Sequence, residues 1–294
     1  MDTRFLKSLI AVVDSGSIAD AARVEHLTAA AVGQRVQALE RELGFALLSR
    51  HGHTARPTEA CLALLPRARR MVREASLLRG DIDRDGLSGT LTIGAISTAL
   101  TGMLPAALQE FTRKAPRARP VIVPGTSKSL FQSLQTGELD AAIVVGPPFA
   151  LPKTLSAVTL RTEPLLLLAG RQTRGSAAKL LATQPYIRYD PNAWGGRHAA
   201  AWIADHGIEP TVLCDLDALE AIAMLVSGGM GVGLVPRWPG IERFTEDCRV
   251  TPLAGAAYQR DIVLVSNRDA DRPNLIAILT QALTHSRKTE RLYG

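Results

Sequence analysis

The sequence predicts an all-α N-terminal module that continues into one long helix, followed by a larger α/β domain. Two observations support this fold class. Up to about residue 79, apolar residues recur at the spacing of one helix face. From Gly89 onward, short apolar runs alternate with amphipathic segments, as strands alternate with helices in α/β folds. With 294 residues, the chain has room for more than one domain.

Charge and hydropathy limit the class of protein. The net charge is +6, and residues 23–73 contain nine arginines against four glutamates, although residues 1–88 as a whole carry only +2. This balance permits nucleic-acid binding without demonstrating it. No apolar stretch reaches the roughly 18 residues of a membrane span, and the first residues do not resemble a signal peptide. We therefore expect a cytoplasmic protein with no membrane partner.

The sequence offers little for catalysis or for a cofactor. Cys61, Cys214 and Cys248 lie far apart, which favours ordinary thiols over a redox switch. His51 and His53 form the only close histidine pair, and no carboxylate or cysteine cluster accompanies them. Motifs of hydrolases, metalloproteases and nucleotide-binding loops are absent from the sequence. We expect no metal, no cofactor and no catalytic residue, although an enzyme remains one of the alternatives.

Two short segments in the first part of the chain favour a helix-turn-helix. A first helix spans Phe5 to Val13, and Ser17 is placed to cap a second helix by accepting from the amide of Asp20. Thr28 can cap a third helix that reaches about Glu42. Two short helices joined by a tight turn, the second of them amphipathic, are typical of DNA-binding proteins. A generic three-helix bundle with a solvated polar face is the alternative.

The third helix would place its polar face in the major groove. Gln34 can bond base edges, and Arg35 or Arg41 can reach bases or phosphates. Residues 49–57 read as two short strands around a basic tip, a wing that would follow the phosphates. The candidate DNA-binding residues are Ser17, Thr28, Ala29, Ala30, Gln34, Arg35, Arg50, His53 and Arg56.

A long apolar stripe follows the wing. It runs from about Thr58 to Arg79 and predicts a helix about 30 Å long, with a kink at Pro66. So long a stripe favours pairing with the same helix of a second chain. Packing onto the chain's own C-terminal domain is the alternative. The glycine-rich stretch 80–89 predicts a hinge.

The rest of the chain predicts an α/β domain with mostly parallel sheets. The expected strands are 90–96, 120–123, 141–145, 165–169, 231–235 and 262–266, and the expected helices are 103–114, 128–136, 197–206, 216–228 and 272–286. Ligands of parallel sheets lie beyond the carboxyl ends of the strands. Hydroxyl groups and a helix start after the second strand favour an anion there, typically a carboxylate.

The candidate effector-binding residues lie mostly after these strands. They are Ser97, Thr98, Thr126, Ser127, Lys128, Gly146, Tyr189, Trp194 and Val232. Each serine or threonine, taken singly, could equally be a plain helix cap, and the two aromatic residues could be core. Their joint placement favours a pocket.

Both halves resemble the LysR family of transcriptional regulators. The N-terminal half does so through Gly16-Ser17, Ala21-Ala22, Leu27-Thr28, Ala31-Val32, Leu39-Glu40, Leu43-Gly44, Arg50 and Thr58-Glu59-Ala60, and the C-terminal half through residues 91–94, 137–143 and 228–236. The resemblance implies an all-α winged helix-turn-helix at 1–60 and a linker and dimerisation helix with its hinge at 58–88. It also implies a periplasmic-binding-protein-like effector domain at 89–294. That domain would comprise subdomain I (89–162 and 267–294) and subdomain II (163–266), with an effector cleft between them.

The sequence also departs from the family pattern at the third helix. Ala29 stands where the family usually has a base-contacting glutamine, and Gly33 stands where it has a second serine. Cys61 replaces a glycine that usually follows Glu-Ala. These differences move the expected polar base contacts to Gln34 and Arg35, while the Ala29 methyl can still touch a thymine methyl.

The resemblance implies a ligand-responsive regulator that binds promoter DNA as a homodimer or homotetramer. A small effector, expected to bear a carboxylate, would bind the cleft and change transcription, with RNA polymerase as a candidate partner. A transport-type solute-binding protein is the rival, since it shares the architecture of the C-terminal half. The absence of a signal peptide and the extra N-terminal module count against that rival.

Overall fold

The computed structural model describes residues 2–51, 54–77 and 85–293. These residues divide into two compact units. The N-terminal unit extends to Gly86 and takes in Gln135–Glu138, and the C-terminal unit comprises Leu87–Leu134 and the chain from Leu139 onward.

The N-terminal unit is a winged helix-turn-helix. Its elements are α1 (Thr3–Ser15), α2 (Ile18–Glu25), α3 (Ala29–Leu43), β1 (Leu48–His51), β2 (Thr54–Pro57) and α4 (Glu59–Leu77). The Ser17 hydroxyl accepts from the amide of Asp20 at 3.0 Å, as predicted. Gly44 ends α3 in the left-handed conformation at φ 83°, which glycine adopts without steric cost.

The turn between α2 and α3 brings the two helices onto one core. His26 adopts a left-handed conformation at φ 54° and ends α2. Leu9, Val12, Ala21 and Leu39 are fully buried there. The small side chain of Ala21 allows α2 to approach its neighbours closely, so the local sequence and the packing agree.

The apolar stripe of α4 is partly used inside the N-terminal unit. Cys61 and Ala68 are buried in the core shared with α1, and Leu64 and Val72 pack against it. Leu62, by contrast, is 54% exposed. The winged module itself therefore covers one face of the stripe, and pairing with a second chain stays a prediction for the exposed remainder. The helix continues through Pro66.

The C-terminal unit alternates strands and helices. Its strands are β3 (Ser88–Ala95), β4 (Arg117–Pro124), β5 (Ala141–Val145), β6 (Leu155–Glu163), β7 (Leu165–Gly170), β8 (Tyr186–Tyr189), β9 (Val212–Leu216), β10 (Val232–Pro236), β11 (Cys248–Pro252) and β12 (Arg260–Asn267). Its α-helices are α5 (Ser97–Thr101), α6 (Leu104–Lys114), α7 (Ser127–Gln135), α8 (Ala177–Thr183), α9 (Gly196–Asp205), α10 (Leu219–Ser227) and α11 (Pro273–Tyr293). Ile241–Phe244 and Ala256–Tyr258 are short 3-10 helices.

The strands form two five-stranded sheets, one for each subdomain. Their orders are β4-β3-β5-β12-β6 and β11-β7-β10-β8-β9. The expectation of mostly parallel sheets missed one reversed strand in each sheet: β12 is antiparallel to β5 and β6, and β7 is antiparallel to β10 and β11, while the other four strands of each sheet run in one direction. The chain leaves the first sheet along β6 and re-enters it along β12, so these neighbouring strands run in opposite directions.

The predicted return of the chain into subdomain I, near Ser266–Asn267, was also wrong. Residues 260–267 pair with Ala141–Val145 on one side and with Leu155–Glu163 on the other. The whole of β12 therefore belongs to subdomain I, and the return lies before Arg260. Subdomain II is correspondingly shorter than 163–266.

Each subdomain has its own hydrophobic core. In subdomain I, Ile93, Phe111, Ile143 and Leu279 are fully buried between the first sheet and its helices. In subdomain II, separate clusters cover the two faces of the second sheet. Within the part of the chain that the structure describes, no helix has both the length and the apolar character needed to cross a membrane.

Candidate DNA-binding helix and effector cleft

The outward face of α3 is small and polar. Ala29, Ala30, Gln34, Gln37 and Arg41 are all exposed on it. At 3.6 residues per turn, Gln34, Gln37 and Arg41 lie within about 60° of one another around the helix axis. The opposite face carries the buried side chains of the core, so tertiary packing fixes which residues can meet a duplex.

Ser17 and Thr28 serve first as helix caps. The Ser17 hydroxyl donates to the Asp20 carboxylate at 2.6 Å. The Thr28 hydroxyl accepts from the amide of Ala31 at 3.2 Å and remains exposed at the start of α3. Both caps place a hydroxyl at the N-terminus of a helix, where phosphate groups are favoured.

The structure turns Arg35 away from the exposed face of α3. Its guanidinium donates to the Ser8 hydroxyl at 3.2 Å and lies 3.8 Å from the Glu25 carboxylate. The side chain of Glu25 is only 4% exposed. Arg35 therefore compensates a buried carboxylate inside the module, and its guanidinium does not lie on the exposed face that carries Gln34.

The wing is described in part. Ser49 lies opposite Arg56 across β1 and β2, and Arg56 is exposed. The side chain of Arg50 and the whole of His53, two of the candidate DNA-binding residues, lie outside the described residues.

A cleft of about 500 Å³ lies between the two subdomains of the C-terminal unit. It is lined by most of the candidate effector-binding residues, namely Ser97, Thr98, Thr126, Ser127, Lys128, Tyr189 and Trp194. Its volume is in the range of small-molecule sites. The serine, threonine and lysine residues follow β3 and β4, as the sequence predicts, whereas Tyr189 and Trp194 come from β8, which was not among the predicted strands, and from the segment after it.

Two candidates do not line the cleft. Val232 is 1% exposed and belongs to the core on one face of the second sheet, because β10 is the central strand and is buried along its length. The backbone of Gly146 is instead bonded to other parts of the unit: its amide donates to the carbonyl of Asp261 and its carbonyl accepts from Arg197.

The hydroxyl groups of the cleft already have protein partners. Thr126 and Ser129 cap α7 reciprocally, through the amide of Ser129 on Thr126 at 3.2 Å and the amide of Thr126 on Ser129 at 3.1 Å. The Ser127 hydroxyl accepts from the amide of Val145, and the Ser97 hydroxyl donates to Glu220. The contacts of Thr126 are therefore those of a plain helix cap, which was the alternative to an effector-binding role.

Sequence reasoning missed Arg260, the buried centre of the cleft floor. Its guanidinium lies 2.7 Å from the Glu163 carboxylate, and both side chains are 2% exposed. It also donates to the Tyr189 hydroxyl at 3.3 Å and to the Thr98 hydroxyl at 3.1 Å. Burial opposes its charge, but Glu163 and Tyr189 together outweigh that cost and raise the pKa of Arg260. No local sequence pattern could indicate this pair, because Arg260 and Glu163 are 97 positions apart in the chain.

Two carboxylates on the subdomain II side are not among the candidate effector-binding residues. Asp190 and Asp217 directly follow β8 and β9, two adjacent parallel strands, and both line the cleft. The side chain of Asp217 is exposed, but the surrounding protein partly desolvates its carboxyl. This desolvation, followed by the negative charge of Asp190, raises the pKa of Asp217, while Arg260 acts weakly in the opposite direction.

This raised pKa predicts a stability effect. Because the folded protein binds the Asp217 proton more tightly than the unfolded chain, the ionised carboxylate destabilises the fold above its pKa. Asp217→Asn is expected to raise the melting temperature of the C-terminal unit at pH 7. The gain should shrink as the pH falls towards 3.8, the ordinary pKa of this carboxyl, and calorimetry across pH would measure it. A constant gain would contradict the stated cause.

An aromatic cluster joins the subdomains beside the cleft. Trp194 of subdomain II packs against Phe131 and Phe149 of subdomain I, with ring centroids 5.6 Å and 5.5 Å away. Trp194 therefore acts both as a lining residue and as a packing contact. Among the described residues, no cluster of histidine, cysteine or acidic side chains could hold a metal ion.

Both halves of the chain match known protein families. Residues 3–62 match the bacterial regulatory helix-turn-helix of the lysR family, and residues 84–287 match the LysR substrate binding domain. IlvY of Salmonella typhimurium, an HTH-type transcriptional activator, is 29% identical over 245 residues, which cover 80% of this chain and 82% of IlvY. TfdS of Cupriavidus pinatubonensis, an HTH-type transcriptional regulator, is 29% identical over 294 residues, covering 96% of this chain and 98% of TfdS.

Solved structures show the same fold. A full-length OxyR from Pseudomonas aeruginosa has a TM-score of 0.72 at 21% identity, covering 96% of this chain and 94% of OxyR. CbnR bound to its target DNA has a TM-score of 0.67 at 24% identity, covering 97% of this chain and 100% of CbnR. The resemblance and the fold class read from the sequence are confirmed. The chain belongs to the LysR family of DNA-binding transcriptional regulators with an effector-binding domain, and it is a regulator and not an enzyme.

Proposed function

We propose that this regulator reads promoter DNA with the exposed face of α3 and with its wing, and that a small carboxylate-bearing effector in the cleft changes transcription. The observation that carries the proposal is the polar, exposed face of α3 opposite a fully formed core. CbnR, of the same fold, has been crystallised with its target DNA.

The proposed contacts divide into two kinds. Gln34 bonds a base edge, and the methyl groups of Ala29 and Ala30 touch apolar base surface in the major groove. Ser17, Thr28 and the wing residues Arg50, His53 and Arg56 contact the phosphates and fix the register. Arg35 is left out of the base contacts, since its guanidinium is engaged with Ser8 and Glu25.

The proposed carboxylate site lies at the start of α7. The first amides of a helix have no acceptor within it, and those of Ser127 and Lys128 begin this one beside the cleft. The Lys128 side chain is exposed and makes no hydrogen bond or ion pair with any described residue. An anion bound here would meet both the helix dipole and the ammonium group.

We further propose a homodimer or homotetramer that binds an interrupted palindrome. Leu62 and Met71 of α4 are 54% and 36% exposed, and such side chains favour a protein partner. Effector binding would alter the oligomer only if the effector prefers one arrangement of the subdomains. The resulting change of DNA bending would alter the access of RNA polymerase.

Gln34→Ala is expected to weaken binding to the operator about tenfold or more while leaving binding to random DNA nearly unchanged, because a lost base contact costs specificity. DNase footprinting upstream of the chain's own gene would locate the operator, and gel shifts would measure both affinities.

Arg56→Ala provides the matched comparison on the wing. A phosphate contact carries no sequence information, so this variant should weaken operator and random DNA to a similar degree. Equal losses on both DNAs for Gln34→Ala would refute base reading by Gln34, and the absence of any protected site would count against the proposed function as a whole.

A further inference from the structure

We infer that the effector is a zwitterion of amino-acid type, whose carboxylate faces Lys128 and whose ammonium group lies between Asp190 and Asp217. This inference rests on the proposed function, because it takes the cleft as the effector site. It adds a cationic group that the carboxylate proposal does not include.

The cleft offers a ligand one available positive charge. Two cationic side chains line the described cleft, Lys128 and Arg260. The charge of Arg260 is already compensated by Glu163 at 2.7 Å, and its remaining donors reach Tyr189 and Thr98. Lys128 is therefore the cation that remains available to a ligand.

Negative charge lines the cleft on the subdomain II side. The last residues of β8 and β9, Tyr189 and Leu216, are register partners, and the amide of Asp190 donates to the carbonyl of Leu216 at 2.9 Å. Adjacent strands lie about 4.8 Å apart, so the next residues, Asp190 and Asp217, stand side by side at one sheet edge. Two carboxylates thus face one available ammonium group.

The fold itself uses these two carboxylates only in part. The amide and the side chain of Asn192 both donate to Oδ1 of Asp190, which accounts for one oxygen. Asp217 makes no hydrogen bond or ion pair with any described residue, and Ala218 begins α10 without a side-chain cap. Desolvation and the charge of Asp190 raise the pKa of Asp217 more than Arg260 lowers it, so the fold does not fully balance this carboxylate.

A cation between the two carboxylates would remove that repulsion. A ligand with carboxylates alone would place negative charge against Asp190 and Asp217, whereas an amine alone would leave Lys128 without a partner. A zwitterion would pair with Lys128 at one end and with the two aspartates at the other, inside a cleft of about 500 Å³. Because Lys128 belongs to subdomain I and the two aspartates belong to subdomain II, it would also favour an arrangement in which the subdomains are close.

The test uses three matched sets of compounds with the full-length protein: the proteinogenic L-amino acids, the same molecules without the amino group, and the corresponding amines without the carboxylate. Thermal shift would screen them, and isothermal titration calorimetry would give affinities. We expect at least one amino acid to raise the melting temperature and to bind at least about tenfold more tightly than either of its analogues, since each lacks one charge-assisted contact.

Two variants locate the ends of the ligand. Asp217→Asn should weaken the amino acid about tenfold or more, and the binding of its desamino analogue should stay equal or improve. Lys128→Met should weaken the amino acid and the desamino acid but not the amine. Asp247→Asn removes the same charge from a side chain that is 73% exposed and lies outside the cleft, and it should change none of these affinities.

Asp217 makes no described bond, so Asp217→Asn is expected to fold, and its melting temperature without ligand checks this. The inference is overturned if no amino acid binds, or if the desamino analogues bind the wild type as tightly as the amino acids do. In the second case, binding of simple carboxylates that is lost in Lys128→Met would leave the proposed carboxylate effector standing.

Discussion

Replacing Glu163 by leucine is expected to lower the free energy of unfolding of the C-terminal unit by about 3–5 kcal/mol. The substitution leaves the guanidinium of Arg260 buried, with 2% of the side chain exposed and no carboxylate beside it. The hydroxyls of Tyr189 and Thr98 would be its remaining partners, and neither carries a compensating charge. Urea unfolding followed by tryptophan fluorescence would measure the loss.

The double variant Glu163→Leu with Arg260→Met is the control for this prediction. Replacing both members of a buried pair by apolar residues of similar volume is often nearly neutral, so much of the lost stability should return, less the contact that Glu163 makes with Arg161 at 3.4 Å. DNA binding by the N-terminal unit should stay measurable in both variants at low temperature. A loss below about 1 kcal/mol for the single variant, typical of exposed pairs, would show that the pair is not buried as described.

Gly196→Ala is the second change with a large expected effect. A Cβ at this position would lie 1.9 Å from the carbonyl oxygen of Asp190, far closer than atoms can approach. The backbone of Asp190 must therefore shift, and the rim of the cleft shifts with it. We expect a loss of about 1–3 kcal/mol in stability, typical of overpacking, and a loss of the effector-induced change in DNA binding.

Gly228→Ala is the matched control, because the nearest atom to its added Cβ would be 3.4 Å away. Calorimetry would compare the two stabilities, and gel shifts with and without effector would compare the responses. A full effector response in Gly196→Ala would show that the Asp190 backbone does not determine the shape of the cleft.

The N-terminal unit could be predicted from sequence to a large extent, because its signals are local. The caps at Ser17 and Thr28 act within three residues, and Gly44 ends α3 through its own backbone conformation. Helical periodicity located the three helices for the same reason. Arg35 was the exception, since its partners Ser8 and Glu25 lie on other helices.

The C-terminal unit was predictable in its apolar strands and less so elsewhere. The strands β5, β7 and β10 are buried along their length and read as apolar runs. By contrast, β6, β8, β9 and β11 were missed. Three of them, β6, β9 and β11, lie at sheet edges and carry exposed residues, whereas β8 is an interior strand of only four residues. An edge strand forms because the adjacent strand offers hydrogen bonds, so its own sequence need not show a strand pattern.

The family and most of the helices and buried strands could be read from the amino-acid pattern alone, since periodicity, caps and local motifs act over a few residues. Which distant groups meet depends on the assembled fold: Arg260 with Glu163, Asp190 beside Asp217, and Val232 inside a core instead of a cleft. These outcomes follow from strand order and register, which bring together residues far apart in the chain. The charged groups available to an effector can therefore be identified only once the two sheets are assembled.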